Sequence, residues 1–316
     1  MALLRPRGGF RPVTLAVLVS ALTSCAVTRG EGDFADRDGA MAADHGPEGD
    51  ATLGGGAATH LEDPDGWWLL FAQDRQCIYA VGDPLENIVR STYVMRLRRE
   101  RSDGTFLRQR VRMCAHELSP LHFGFVTVVG HEIPDAQPTH DVAGFLLGPA
   151  PGEVYVTGEV VDNWGVPGLP TDAPLPATAD DPRVVDQDED GLPGVTATVT
   201  TPDGTPICTV QLVERLRVTL EGAVVNARHI EGLLVSHIEQ VVLSASTDLC
   251  ASGELGDSLA ETRFDMVRID GKDGAPNLDA DRDGEIDCVE VRAGQEETLS
   301  FYGLLRAQPD SESNCP

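Results

Sequence analysis

The 316-residue chain is short of cations, of aromatics and of long apolar runs, and each shortage limits what it can be. Lysine and arginine together number 24 against 51 aspartates and glutamates, a formal net charge of −27. A chain this acidic repels phosphate backbones and anionic headgroups, which argues against nucleic-acid binding and against electrostatic adhesion to a membrane. The apolar run nearest the N-terminus, Val13 to Leu22, has ten residues, too few for a transmembrane helix, which needs roughly 20. No G-x-S-x-G elbow, P-loop or helix-opening G-x-G-x-x-G is present, so a serine hydrolase of that type and nucleotide use have no support. His116-Glu117 and His131-Glu132 begin like the H-E-x-x-H zinc motif, but neither has a second His four positions after the first. Cysteines spaced C-x₂-C or C-x₄-C, which could seed a zinc site, are also missing.

What the N-terminus does contain is ordered. Arg5, Arg7 and Arg11 precede the Val13–Leu22 run without an acidic residue among them, and Leu22-Thr23-Ser24-Cys25 follows it. Charge, run length, small residues and cysteine in that order resemble the lipobox signal of bacterial lipoproteins. The resemblance implies cleavage before Cys25, lipidation of its thiol, and a mature chain working in the cell envelope. With Ala26 after the cysteine, the expected destination is the outer membrane of a Gram-negative cell. The lipid would be the membrane contact, at about 0.8 kcal/mol per buried CH₂. The alternative is an ordinary secretory signal with a chance cysteine at the cut.

With Cys25 assigned to lipid, six cysteines remain: Cys77, Cys114, Cys208, Cys250, Cys288 and Cys315. An even number in an exported chain suggests disulfides. Cys77 and Cys114 stand alone in the first half and are expected to pair with each other; the connectivity of the other four stays open.

Residues 26–60 are rich in Gly, Ala and Asp and cannot bury enough surface to offset ordering, so they read as a tether. From residue 61 the chain reads as short strands between turns. Thr92–Arg98 and Thr105–Met113 flank Ser102-Asp103-Gly104, a hairpin signal, and Val195–Thr201 alternates strictly before Pro202-Asp203-Gly204. The expected fold is mainly β, an antiparallel sandwich or barrel with few helices and none longer than about two turns. The Pro- and Asp-rich stretch 165–190 is read as a connector between two β units, 61–164 and 191–308, followed by a tail, 309–316.

Residues 279–290, DADRDGEIDCVE, resemble an EF-hand calcium loop. Asp279, Asp281 and Asp283 take positions 1, 3 and 5, Gly284 the sharp bend at position 6, Glu285 position 7 through its carbonyl, Asp287 position 9, and Glu290 the bidentate position 12. A hard dication asks for six to eight oxygens at about 2.3–2.6 Å, which this pattern supplies. Ile286 at position 8 is expected to anchor the loop to a core. The flanks depart from the family. Gly271, Gly274 and Pro276 break any helix leading in, and Val289 to Ala293 allows about one turn before Gly294, so the loop is expected to staple structure rather than open a hinge. Asp186, Asp188 and Asp190 repeat the first half of the pattern, but Gly194 and Ala197 hold positions 9 and 12. Pro193 at position 8 has no N–H to exchange with a paired loop.

The expected function is therefore a lipid-anchored, calcium-binding envelope protein that contacts a small ligand or another envelope protein. Two alternatives stay open. One is an anchored zinc hydrolase built on His116, His122, His131 and His140. The other is a barrel carrying a small apolar ligand, with Trp67, Trp68 and Trp164 at its pocket.

Overall fold

The computed structural model describes residues 58–306 apart from short stretches at 81–82, 101–104, 121–123, 131, 248–249, 251–253, 259–261 and 305. Within them the chain is mainly β. The strands are β1 (Gly66–Ala80), β2 (Asp83–Arg99), β3 (Phe106–Leu118), β4 (Val126–Val129), β5 (His140–Leu146), β6 (Val154–Thr157), β7 (Val160–Trp164), β8 (Val195–Thr200), β9 (Pro206–Asn226), β10 (His229–Ala245), β11 (Glu254–Ser258) and β12 (Arg263–Arg268). Two α-helices join them among the described residues, α1 (Glu132–Ala136) and α2 (Cys288–Tyr302).

Pairing closes a ring. β1 pairs β2, β2 pairs β3, β3 pairs β5, β5 pairs β6, β6 pairs β9, β9 pairs β10, β10 pairs β12, and β12 returns to β1, every neighbour antiparallel. The expected sandwich-or-barrel architecture is thus an antiparallel barrel. Beyond the ring, β9 runs on to pair β7 and β8, and β4 extends β8. Strands from before the 165–190 connector and strands from after it meet at two seams of the ring, β6 with β9 and β12 with β1, so the two β units expected there share one sheet.

Side-chain alternation explains the ring. Along β3, Leu107, Gln109, Val111 and Met113 are buried while Arg108 and Arg110 are exposed, the period-2 pattern of a strand with one dry face. At Cys114 the register slips by one residue, Thr92 facing Ala115 and Tyr93 facing Met113. Alternation already sends Cys114 to the outer cluster, and the bulge after it turns Leu118 to the inner one. At Gly222 and Gly232, directly opposite each other on β9 and β10, a Cβ on Gly232 would lie 2.2 Å from the Glu221 carbonyl oxygen. Only glycine fits so close an approach of two backbones, and Phe264 covers the gap.

Three apolar layers result. The inner one fills the barrel with Trp68, Leu70, Tyr93, Met95, Val111, Leu216 and Phe264 among others. A second lies outside, where Leu69, Phe71, Val94, Val267 and Ile269 meet Ile286, Val291 and Leu299 of the loop and α2. Each such side chain contributes roughly 1.5–3 kcal/mol when fully buried, and burial on both faces explains why Trp67–Phe71 is apolar without alternation. The third layer is the connector itself. Val166 and Leu169 fold onto Val213, and the buried Arg215 guanidinium donates to the carbonyls of Pro170 and Ala173 at 3.0 and 2.8 Å and pairs with Glu239 at 2.8 Å.

Candidate metal centre

Helix α2 corrects the sequence reading of the loop's exit. It runs 15 residues, straight through Gly294. A glycine inside a helix costs about 1 kcal/mol relative to alanine, but a Cβ there would lie 2.5 Å from Leu278 Cδ2, so the glycine lets the segment leading into the loop pack against its trailing helix. No helix leads in; a 3₁₀ turn at Lys272–Gly274 takes its place. The N-cap of α2 is Asp287, whose Oδ1 accepts from the Val289 and Glu290 amides at 2.8 and 3.0 Å. Glu290 folds back as the other half of the capping box: Oε2 accepts from Asp287 N–H at 3.1 Å and Oε1 from Ala280 N–H at 2.7 Å, closing the loop end to end.

Inside that closure the carboxylates of Asp279, Asp281 and Asp283 converge, with one oxygen of each within 4.8 Å of the others. Gly284 N–H donates to Asp279 Oδ2 at 3.1 Å and Glu285 N–H to Asp283 Oδ1 at 2.8 Å. Asp279 Oδ1 is shielded from solvent and has no hydrogen-bond partner. An anionic oxygen in that condition is costly unless something positive meets it, and the donor set is all-oxygen, which suits calcium. The Glu285 side chain turns away to Arg96 and Arg110, leaving its backbone carbonyl for the position-7 role. Ile286 is buried in the outer cluster, as its place in the motif implies.

The loop is keyed to the barrel from three sides. Trp67 Nε1 donates to Gly284 O at 3.2 Å, Arg96 stacks on the Trp67 ring at 4.9 Å, and Cys288 is disulfide-bonded to Cys114. The last bond corrects the expected Cys77–Cys114 pairing. Cys114 faces outward at the β3 bulge, toward the first residue of α2 and across a sequence separation of 174 that spacing could not reveal. Cys208 pairs with Cys250. Cys25 and Cys315 lie outside the described residues, as does the side chain of Cys77.

Asp186, Asp188 and Asp190 also converge to within 4.8 Å, and the backbone repeats. Glu189 and Gly191 have φ of 58° and 87°, matching Arg282 and Gly284 at 65° and 85°. Gly191 N–H donates to Asp186 Oδ2 at 2.8 Å and Leu192 N–H to Asp190 Oδ1 at 2.8 Å, the same two bonds as in the C-terminal loop. Asp188 Oδ1 is buried without a partner while Oδ2 accepts from Thr196 N–H at 2.7 Å. Burial, with Asp190 and Asp186 alongside, holds the Asp188 carboxyl above its usual range. The second half of the ligand set is missing here, as the sequence implies.

The histidines are arranged differently. His116 stacks edge-on against Trp164 inside the barrel, with Nδ1 3.1 Å from Ser91 Oγ, and burial pushes its pKa down to about 4. His140 Nε2 lies 2.7 Å from the buried Asp162. His122 and His131 lie outside the described residues. A cluster that sequence spacing does not reveal, His229, Glu231 and Asp265, forms across β10 and β12, where His229 Nε2 meets Asp265 Oδ1 at 2.9 Å. Comparison of the chain with family models, curated proteins and solved structures finds no match.

Proposed function

We propose that the protein is a lipid-anchored, calcium-binding β-barrel of the bacterial cell envelope, in which calcium at residues 279–290 fixes the C-terminal helix against the barrel wall. The observation that carries the calcium reading is the shielded, partnerless Asp279 Oδ1 among three converging carboxylates. Asp279, Asp281 and Asp283, the Glu285 carbonyl and Glu290 would hold the ion. Bound there, it supplies a positive centre that neutralises the carboxylates. The chain's own residues do the rest: Glu290 closes the loop, Asp287 starts the helix, and Ile286 and Cys288 hold both to the wall. The anchor reading rests on the lipobox resemblance at Cys25.

The small free space inside the barrel among the described residues favours a structural or binding module over a carrier. The recesses along the barrel interior, beside His116 and beside Met95, measure only about 40 and 10 Å³, against roughly 300 Å³ or more for small-molecule sites. The deciding experiment is thermal unfolding in millimolar calcium and in chelator, with metal analysis of the purified protein. A higher melting temperature in calcium supports the reading; identical curves, or stoichiometric zinc, would remove it.

A further inference from the structure

The outer face of β2 and β3 contradicts the charge of the rest of the molecule. Residues 96–112 hold seven arginines and two acids, in a chain with a formal net charge of −27. Strand alternation sends Arg96, Arg98, Arg108 and Arg110 to the same outer face, and register places Arg96 directly opposite Arg110 and Arg98 directly opposite Arg108. Like charges facing each other across a strand pair destabilise it, and this hairpin carries two such pairs side by side. Opposed Cβ atoms are about 5 Å apart and same-face neighbours along a strand about 7 Å, so four guanidinia rise from the corners of a small rectangle.

They line a recess of about 370 Å³ together with Asp141, within the usual size range of small-molecule sites. Two carboxylates stand at its rim. Glu285 pairs with Arg96 and lies 4.0 Å from Arg110, and Asp141 lies 3.3 Å from Arg108. Arg98 makes no hydrogen bond or ion pair with a described residue. Arg108 and Arg110 are more than half exposed. Most of the N–H donors of these four planar forks therefore have no acceptor among the described residues, and that fork geometry suits bidentate binding of phosphate or carboxylate oxygens.

We infer that this recess binds a small molecule bearing two or more oxyanion groups, of the diphosphate or polycarboxylate class. Size follows from screening. Charges more than about 8 Å apart are largely screened at physiological ionic strength, so a compact anion seated among the arginines senses mainly them. A membrane or a nucleic acid would lie across the acidic remainder as well and be repelled. The inference does not rest on calcium binding or on the lipid anchor, and metal-free protein tests it.

The probe is inorganic pyrophosphate, titrated calorimetrically into calcium-free protein at fixed ionic strength, with orthophosphate as the single-group control. Saturable one-to-one binding is expected, about tenfold or more tighter for pyrophosphate than for orthophosphate. Two variants act in opposite directions. Arg98→Gln with Arg108→Gln, on an exposed strand face, should weaken binding about tenfold or more, and Asp141→Asn, which removes a competing rim carboxylate, should tighten it. The inference is overturned if pyrophosphate gives no heat at millimolar concentration, or if the double glutamine variant binds as the parent does. It is likewise overturned if the protein ignores pyrophosphate but sediments with phosphatidylglycerol vesicles, which would make the face a membrane contact.

Discussion

The Trp67 indole, on the second residue of the first strand, donates to the carbonyl of Gly284 at 3.2 Å across 217 positions of sequence. Gly284 is the bend of the acidic loop, and the same indole carries the Arg96 guanidinium on its face. The ring therefore touches the loop and the cation that holds Glu285, so any tightening of the loop changes the ring's surroundings. Calcium should change Trp67 fluorescence with the same concentration dependence as it raises the melting temperature. Trp67→Phe should abolish the optical change and leave calcium-dependent stabilisation largely in place. A calcium-insensitive emission spectrum in a protein that calcium stabilises would show that the loop is not read through this contact.

Loops of this kind in exported proteins have affinities on the order of 10⁻⁴–10⁻³ M. At about 10 mM calcium such a site adds about 1.4–2.7 kcal/mol, or several degrees of melting temperature for a domain of this size. Asp279→Ala and Glu290→Ala should each remove most of that increment. Asp188→Ala should remove less, because its loop has Gly194 and Ala197 where the closing ligands would stand. Equal losses for the two loops, in melting curves taken with and without calcium, would reverse that ranking.

Much of this was legible in the sequence, in physical terms. The strand alternation of Thr92–Arg98 and Val195–Thr200 and the Asp203-Gly204 turn sit where the pattern places them, because one face of each strand is dry; Ser102-Asp103-Gly104 lies outside the described residues. The loop motif is local, so its converging aspartates were readable residue by residue. What the sequence hid is long-range or two-sided. Glu214 and Arg215 break the strand pattern between Leu212 and Leu216, where local sequence alone ends one strand and begins another. The structure carries β9 through both: Glu214 is buried with Gln240, its carboxyl pushed well above its usual range by burial, and Arg215 is roofed by connector carbonyls. Gly294 looked like a helix end because its reason, the contact with Leu278, lies outside α2. The ring closure and the Cys114–Cys288 bond join positions with no common local signal.

That bond closes a 174-residue span, for which chain-entropy arguments give at most about 5 kcal/mol. Cys114→Ser with Cys288→Ser should lower stability by a few kcal/mol, measured by denaturant unfolding. It should also weaken calcium binding, since Cys288 opens the helix that Asp287 and Glu290 cap. Unchanged calcium affinity in the double variant would separate the staple from the loop.

Cys25→Ser tests the anchor. If the lipobox reading holds, the variant leaves the membrane fraction and appears as soluble protein, and metabolic labelling with a fatty acid is lost. Persistent membrane association would require another attachment, because acidity alone repels the chain from anionic headgroups.

The interior histidine predicts a pH dependence with a definite sign. His116 sits among the barrel side chains, its pKa pushed down to about 4 by burial from an ordinary value of 6.5. Between those values the unfolded chain takes up a proton at this position and the folded chain does not, so stability falls as the solution is acidified through that window. The shift corresponds to at most about 3.5 kcal/mol, reduced by whatever solvent reaches the ring. His116→Gln keeps a polar group near Ser91 and removes the titration. The parent should therefore lose stability relative to the variant as pH drops from about 6.5 to 4, with the difference between their unfolding free energies constant above that range. Parallel curves across the window would mean that the folded protein protonates His116 as readily as the unfolded chain does.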